Sequence, residues 1–247
     1  MLKKSVVFFS LHFFYSQHIK METLHEIDIQ LFTLLNGSNS SFVDGIMMMV
    51  TNGITWIPLY IALFFLVIKN NESMLQIAII VGCALGCVLV STLLADFIAK
   101  PLFARWRPSS DPLLKYAVDV VDNYRPGKYG FFSAHAANTF SLALFISLWV
   151  RNRLFTVTMV IWSLLNCYSR IYLGAHYPSD ILVGLLAGAA VGTAFYFLCK
   201  KLFFKITPRL NYVSTRFSST GYSIADIDMV MTVISLLMIA IILIPLF

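Results

Sequence analysis

Long apolar segments alternate with short polar ones over most of the chain. Six apolar runs lie at 51–68, 75–98, 133–149, 154–170, 180–198 and 228–246. Each is close to the roughly 20 residues that a helix needs to cross a bilayer. Backbone groups in lipid must be hydrogen-bonded within the segment, and the runs are continuous rather than alternating as barrel strands are. The pattern therefore predicts an all-α, polytopic membrane helical bundle with about six transmembrane helices.

A weaker pattern precedes these runs. Residues 24–36 place apolar side chains at helical spacing, with acids between them, and end at Asn36-Gly37. We interpret this stretch as an N-terminal amphipathic helix on the membrane surface, followed by a second such segment at 42–50. Residues 1–20 carry two lysines and then an apolar run, which is typical of an N-terminal extension or a weak signal-like segment. Residues 21–247 are predicted to form a single membrane domain.

Composition confirms the membrane setting and excludes some partners. Of the 247 residues, 59% are hydrophobic and only 12% are charged, against about 25% charged in soluble domains. The net charge of +6 suits a protein between anionic lipid surfaces. Its basic residues are scattered through short loops, which argues against a nucleic-acid partner. The four cysteines lack metal-site spacing and are predicted to be buried, and nothing indicates an obligate protein partner.

The distribution of basic residues predicts an orientation. If every run crosses the membrane, the loops at 69–74, 150–153 and 199–227 share one side. That side carries eight Lys or Arg residues and two acids, Glu72 and Asp226, so the positive-inside rule makes it cytoplasmic. The loops at 99–132 and 171–179 then lie on the extracytoplasmic, periplasmic face of a multi-pass protein of the inner (cytoplasmic) membrane.

Three polar clusters lie on that periplasmic side. They are KPLFARWRP with Lys100 and Arg107, FFSAHAAN with Ser133 and His135, and SRIYLGAHYPSD with Arg170, His176 and Asp180. Singly, each has an ordinary explanation, such as a snorkelling cation or a helix cap. Together they indicate a phosphate site, because Arg and Lys match phosphate oxygens and a helix N-terminus offers free N–H groups.

The residue types suit phosphoryl transfer, which needs charge neutralisation, a nucleophile and an acid. Pro178 is favourable as the first residue of a helix, so Tyr177 is predicted as its N-cap and Asp180 as its third residue. From there Asp180 can orient His176 and leave the other ring nitrogen free to attack phosphorus. The chemistry needs no metal or cofactor, because the cations occupy the role that metals would play.

These residues resemble the type 2 phosphatidic acid phosphatase superfamily, which is related to glucose-6-phosphatase and the vanadium haloperoxidases. Its signature is Lys-x6-Arg-Pro, then Pro-Ser-Gly-His, then Ser-Arg-x5-His-x3-Asp. The first and third parts are complete here, and the matched region runs from about 100 to 180. The second part departs from the pattern, because Phe132 and Ala134 stand in place of the usual Pro and Gly.

The resemblance implies a role for each position. His176 would be the nucleophile that forms a phosphohistidine, with Asp180 orienting it. His135 would protonate the leaving group and later activate water. The substrate phosphate would be held by Lys100, Arg107, Ser133, Ala134 and Arg170. We add as secondary contacts, on chemical grounds, Arg105 to phosphate and Tyr124, Arg125 and Lys128 to the lipid headgroup.

Several alternatives stay open at the level of sequence. The resemblance implies a lipid phosphate or pyrophosphate as substrate, and undecaprenyl pyrophosphate, lipid A phosphate, phosphatidylglycerol phosphate and phosphatidic acid all fit. A non-enzymatic transporter or phospholipid-binding protein could use the same anion site. Transport is disfavoured because the charged groups gather at one membrane edge rather than at mid-membrane. Haloperoxidase-like chemistry fits the same residues but not a membrane setting.

Overall fold

The structure is a computed structural model that describes residues 25–38, 40–207 and 215–246. In these ranges the chain is helical, with two isolated β-bridges and no strand. The helices are α1 (25–35), α2 (Ser41–Thr51), α3 (Ile57–Lys69), α4 (Met74–Thr92), α5 (Lys100–Phe103), α6 (Ala134–Val150), α7 (Arg153–Tyr172), α8 (Pro178–Ile206) and α9 (Ile224–Leu243). The segment at 1–20 lies outside the described residues.

Four continuous helical stretches are long and apolar enough to cross a membrane. They are Met74–Phe103, Arg153–Tyr172, Pro178–Ile206 and Ile224–Leu246. A fifth span results if Ser41–Thr51 and Gly53–Lys69, which meet at a 65° bend, are taken together. Helix α6 is apolar but shorter, with 17 residues. The all-helical membrane fold is therefore confirmed with four to five candidate spans, and the sixth stays a prediction.

The bend near residue 52 lies between the segment predicted at 42–50 and the apolar run at 51–68. Asn52 has an extended backbone, and its side-chain oxygen accepts the N–H of Ile54 at 3.0 Å. It therefore caps a new 3-10 turn, Gly53–Trp56, that leads into α3. A side-chain acceptor that competes with the helical backbone is a common cause of a helix break, and here it separates α2 from α3.

Helix α6 lies at the centre of the bundle, between α4, α7 and α8. Three glycines one turn apart on α8 allow this helix to lie close to the backbone of α6. A Cβ atom would lie 2.7 Å from the carbonyl oxygen of Ala137 if placed on Gly188, and 2.6 Å from that of Ser141 if placed on Gly192. The close packing that small residues permit therefore holds α6 against α8, and a Cβ on Gly184 would lie 2.7 Å from the carbonyl oxygen of Ser133 at the start of α6.

Helix α1 is present where the sequence predicted one. Its inner face buries Asp28 and Phe32, and the Phe32 ring lies 5.6 Å from that of Tyr177. Ile27 and Leu34 are exposed on the other side. The helix therefore packs on the end of the bundle at the start of α8, and its contact with a membrane surface stays a prediction.

A π-helical segment, Leu93–Ala99, follows α4 without interruption. The amide of Lys100 donates to the carbonyl of Ala95, five residues back, and Pro101 follows directly. Wide turns of this kind are frequent at functional sites. Here the wide turn delivers Lys100 to the end of the bundle, beside a long loop that spans 104–133.

Candidate active site

The three polar clusters meet at one end of the helical bundle. Lys100 lies at the end of the α4–α5 stretch, His135 is the second residue of α6, and Arg170 is in the last turn of α7. His176 and Asp180 lie at the start of α8. The three clusters therefore lie at one end of the bundle, and the membrane side to which that end belongs stays a prediction.

The start of α8 has the capping geometry predicted from its sequence. Tyr177 is the N-cap, Pro178 is the first helical residue, and Asp180 is the third. The Tyr177 amide donates to Oδ2 of Asp180 at 3.1 Å. The same Oδ2 lies 3.6 Å from Nδ1 of His176, slightly beyond hydrogen-bond length. Asp180 is therefore fixed beside the imidazole, as an orienting acid must be.

The contacts of His176 define which ring nitrogen carries its proton. Nη1 of Arg107 lies 3.1 Å from Nε2 of His176. A guanidinium has donors but no acceptor, so Nε2 accepts and the proton of the neutral ring is on Nδ1. Nδ1 is buried and has no hydrogen-bond partner among the described residues, and the nearest carboxylate is Asp180. The geometry thus assigns an Nδ1–H tautomer in which the lone pair of Nε2 faces Arg107.

The local field keeps His176 neutral. Burial lowers its pKa well below the usual value of 6.5, and the charges of Arg107, Arg170 and Lys100 lower it further. Burial, with the charge of Arg170 next, also lowers the pKa of Arg107 to about 10. Burial is the largest cause for both groups, and the neighbouring cations add to it, so positive charge is in excess around His176. A phosphate dianion would relieve that excess, so the site suits an anionic ligand.

Two arginines of the site are held in place by neutral oxygen atoms. Arg170 Nη1 donates to Oγ1 of Thr51 at 2.6 Å and to the hydroxyl of Tyr124 at 2.5 Å. Arg107 Nε donates to the carbonyl of Tyr129 at 3.0 Å. These contacts fix the guanidinium groups without neutralising them. Thr51 lies on α2, far from the signature in sequence, and no spacing rule indicated it.

The altered second motif keeps a regular helix start. Ser133 is the N-cap of α6, its Oγ accepts the amide of Ala136 at 3.3 Å, and its own amide donates to the carbonyl of Asp180 at 3.1 Å. Ala134 is the first helical residue and has no positive φ. Alanine is therefore unstrained in the position where glycine is usual, and Phe132 is buried beside it.

The residues predicted as secondary contacts are dispersed. Lys128 lies 4.8 Å from the ring of Trp106, and Arg125 donates to the carbonyl of Ser109. Tyr124 contacts Arg170, as described above. Arg105 contacts neither Arg107 nor Arg170; instead its guanidinium pairs with the carboxylate of Asp180.

One glycine at the centre of the site was not foreseen. A Cβ atom on Gly130 would lie 3.0 Å from Cγ of Arg107, 3.3 Å from Oδ2 of Asp180 and 3.4 Å from Nδ1 of His176. The missing side chain lets the loop pass directly over the imidazole–carboxylate pair. Gly130 lies just before FFSAH in the sequence. That position alone does not identify a site residue, because no spacing rule includes it.

Within the part of the chain that the structure describes, no group of three or more His, Cys, Asp or Glu side chains could hold a metal ion. The four cysteines are free and buried, as expected. Metal-independent catalysis remains a prediction.

A buried imidazole beside a carboxylate and several cations, at the end of a helical membrane bundle, has the residue types that bind and transfer a phosphate group. The family model described as "PAP2 superfamily" matches residues 77–204, which is more than half of the chain. The chain belongs to that superfamily.

Individual proteins agree with this assignment. The chain is 36% identical to a lipid A 4'-phosphatase of Bacteroides thetaiotaomicron, over 74% of this chain and 81% of that protein. It is 42% identical to a lipid A 4'-phosphatase of Porphyromonas gingivalis, over 71% and 74%. The crystal structure of Aquifex aeolicus LpxE shares the fold, with a TM-score of 0.51 and 24% identity over 68% of this chain and 93% of that one.

Proposed function

We propose that this protein is a membrane-bound lipid phosphatase that hydrolyses a phosphate ester of lipid A through a phosphohistidine at His176. The observation that carries the proposal is the state of His176: a neutral ring, with Nδ1–H facing Asp180 and the lone pair of Nε2 beside Arg107. Such a ring is ready to attack phosphorus. The two lipid A 4'-phosphatase relatives favour lipid A over the other lipid phosphates.

In the first step, Nε2 of His176 attacks phosphorus and the bond from phosphorus to the lipid oxygen breaks. Asp180 stabilises the imidazolium that forms. Arg107 turns its donor from Nε2 to a phosphate oxygen, and Lys100 and Arg170 neutralise the remaining charge. The amides at the start of α6, after Ser133, add donors to the phosphoryl oxygens.

Protonated His135 supplies the proton that the lipid oxygen needs as it leaves, and is left neutral. In the second step, His135 removes a proton from water, and the water oxygen attacks the phosphorus of the phosphohistidine. The P–N bond breaks, inorganic phosphate leaves, and His176 returns to its neutral form. Every proton is thus carried by a residue of the chain. We place this reaction on the periplasmic face of the inner membrane.

Phosphate release from the purified full-length chain in detergent, with a chelator present, tests the proposal. The panel contains lipid A, undecaprenyl pyrophosphate, phosphatidylglycerol phosphate and phosphatidic acid. We expect the highest kcat/KM with lipid A. Rapid quenching with 32P-labelled lipid should trap an acid-labile, base-stable phosphoenzyme that His176→Ala abolishes.

Other outcomes would contradict parts of the proposal. Preference for undecaprenyl pyrophosphate would change the substrate and keep the mechanism. Phosphate release by His176→Ala, or a requirement for a divalent metal, would exclude the mechanism. A protein that binds these lipids and releases no phosphate would be a lipid-binding protein or a transporter.

A further inference from the structure

We infer that Arg105 and Asp28 are positioning residues for the His176–Asp180 pair, so that helix α1 forms part of the catalytic apparatus. The inference deepens the proposed function and rests on it. Neither residue belongs to the three-part signature. Asp28 lies 77 positions before Arg105, on a different element.

Arg105 is held between two carboxylates. Its Nη1 donates to Oδ1 of Asp180 at 2.7 Å, and its Nη2 donates to Oδ2 of Asp28 at 2.5 Å. Nη1 also donates to Oγ of Ser179 at 2.7 Å, and the guanidinium lies 4.4 Å from the ring centroid of Tyr177. The group is therefore fixed in position and orientation, on the side of Asp180 that faces α1.

Asp28 has a second set of contacts, with the first turn of α8. Its Oδ1 accepts the amide of Ser179 at 2.9 Å, and its Oδ2 accepts the Ser179 hydroxyl at 2.6 Å. First-turn amides have no partner within their own helix. A single carboxylate from α1 thus caps α8 and anchors Arg105. Asp28 itself is buried, with only 6% of its surface exposed.

The two oxygens of Asp180 have separate partners as a result. Oδ1 is held by Arg105, whereas Oδ2 accepts the amide of Tyr177 and faces Nδ1 of His176. Asp180 is fully buried, and a buried carboxylate is costly without a cation beside it. Arg105 keeps this carboxylate ionised and fixes its rotation. It thereby keeps Oδ2 aimed at the ring that has to accept positive charge.

This arrangement separates two possible roles of Arg105. A residue that contacts phosphate would lie beside Nε2 of His176, where Arg107 is found. Arg105 contacts the far oxygen of Asp180 instead, and both of its terminal nitrogens are already paired with carboxylates. It therefore acts on His176 through Asp180, and the two roles predict different kinetics.

Arg105→Gln and Asp28→Asn in the full-length protein test the inference. We expect kcat to fall roughly 10- to 100-fold, the size of effect that misplacement of a reacting group produces. The KM and the inhibition constant of inorganic phosphate, the reaction product, should stay within about twofold, because both report phosphate contacts. Glu26→Gln is the matched control, since Glu26 is exposed on the same helix and should keep wild-type kinetics.

A double-mutant comparison tests whether Arg105 acts through Asp180. Arg105→Gln should cause no further loss of kcat in an Asp180→Asn background, because the partner of Arg105 is already neutral there. A further loss in that background, or a much weaker affinity for inorganic phosphate, would show a direct phosphate contact and overturn the inference. Wild-type kcat in both single variants would also overturn it. If Arg105→Gln does not fold, by size exclusion and thermal unfolding, Arg105→Lys replaces it and should give an intermediate kcat.

These outcomes remain distinct from failure of the proposed function. If wild-type protein releases no phosphate from any lipid of the panel, the proposed function fails, and the inference about catalysis fails with it. If the wild-type protein is active and the two variants match it, only the inference fails.

Discussion

Arg105 and Arg107, two positions apart in the sequence, contact opposite ends of one imidazole–carboxylate pair. Arg107 donates to His176 at 3.1 Å, whereas Arg105 donates to Asp180 at 2.7 Å. The segment that carries both arginines is held by backbone hydrogen bonds to the loop before α6, including one of 2.9 Å from the Gly130 amide to the Arg105 carbonyl. The loop before α6 therefore helps to position both arginines, and through them both members of the His176–Asp180 pair.

Catalysis by His176 should persist below the pH at which a free imidazole becomes protonated. Burial, then the charges of Arg107, Arg170 and Lys100, lower the pKa of His176 well below 6.5. The acid limb of phosphoenzyme formation should therefore lie below pH 6.5. An aryl phosphate with an acidic leaving group is the substrate of choice, because its departure needs no proton from His135. An acid limb at or above pH 6.5 would contradict a lowered pKa for His176.

The same pKa predicts how stability depends on pH. Below about pH 6.5, His176 takes up a proton in the unfolded chain but not in the folded one, so the free energy of unfolding should decrease as the pH falls. Thermal unfolding in detergent at pH 7.5 and 5.5 measures this loss. His176→Ala should reduce the difference between the two temperatures, because it removes the group that titrates.

Gly130→Ala should lower kcat/KM roughly 10- to 100-fold, an effect typical of misplaced catalytic groups. The new Cβ would lie 3.0–3.4 Å from atoms of Arg107, Asp180 and His176, so at least one of them has to move. Gly82→Ala is the matched control, because a Cβ at Gly82 meets no atom within 4 Å. Unchanged kinetics in Gly130→Ala would contradict the prediction, because they would show that the loop moves without displacing His176 or Asp180.

Tyr124→Phe should weaken the binding of phosphate. It removes the hydroxyl that accepts a hydrogen bond from Arg170 at 2.5 Å and leaves the contact of Arg170 with Thr51. The loss of a hydrogen bond to a charged group, at about 1.5 kcal/mol, corresponds to a roughly tenfold weaker inhibition by orthovanadate. Tyr116→Phe is the control, since Tyr116 is exposed. Equal inhibition constants for both variants would show that the Tyr124 hydroxyl does not hold Arg170.

Gly188→Leu should destabilise the bundle by about 1–3 kcal/mol or more, because overpacking forces the backbone apart. Even a Cβ at Gly188 would lie 2.7 Å from the carbonyl oxygen of Ala137. Thermal unfolding in detergent measures the loss, and Gly82→Leu serves as a helical glycine with open space around it. A wild-type unfolding temperature for Gly188→Leu would contradict the close contact between α6 and α8.

Local sequence rules predicted the start of α8 and the meeting of the clusters. Pro178 fixes the first turn, so the position of Asp180 relative to Tyr177 follows from a spacing of three. The chain direction of successive apolar runs places His135 and His176 at the same end. Both predictions depend on short stretches of sequence whose structure follows from local backbone geometry.

Contacts between distant elements were beyond such rules. Arg105 was expected beside phosphate because Arg favours phosphate, whereas the structure pairs it with Asp180 and Asp28. The Asp28 partner lies on α1, and only the packing of α1 on the bundle brings it there. The cap by Asn52, which separates α2 from α3, was not foreseen because apolar residues on both sides mask one polar side chain.

The position of Asp28 on α1 bears on how the protein is handled in the laboratory. A version shortened past residue 28 would keep every signature residue and lose the carboxylate that caps α8 and anchors Arg105. A bulky fusion partner joined close to residue 25 could displace the same helix. Weak activity in such a protein would reflect a misplaced N-terminal helix rather than a missing catalytic function, and a flexible spacer ahead of α1 should restore it in the fusion.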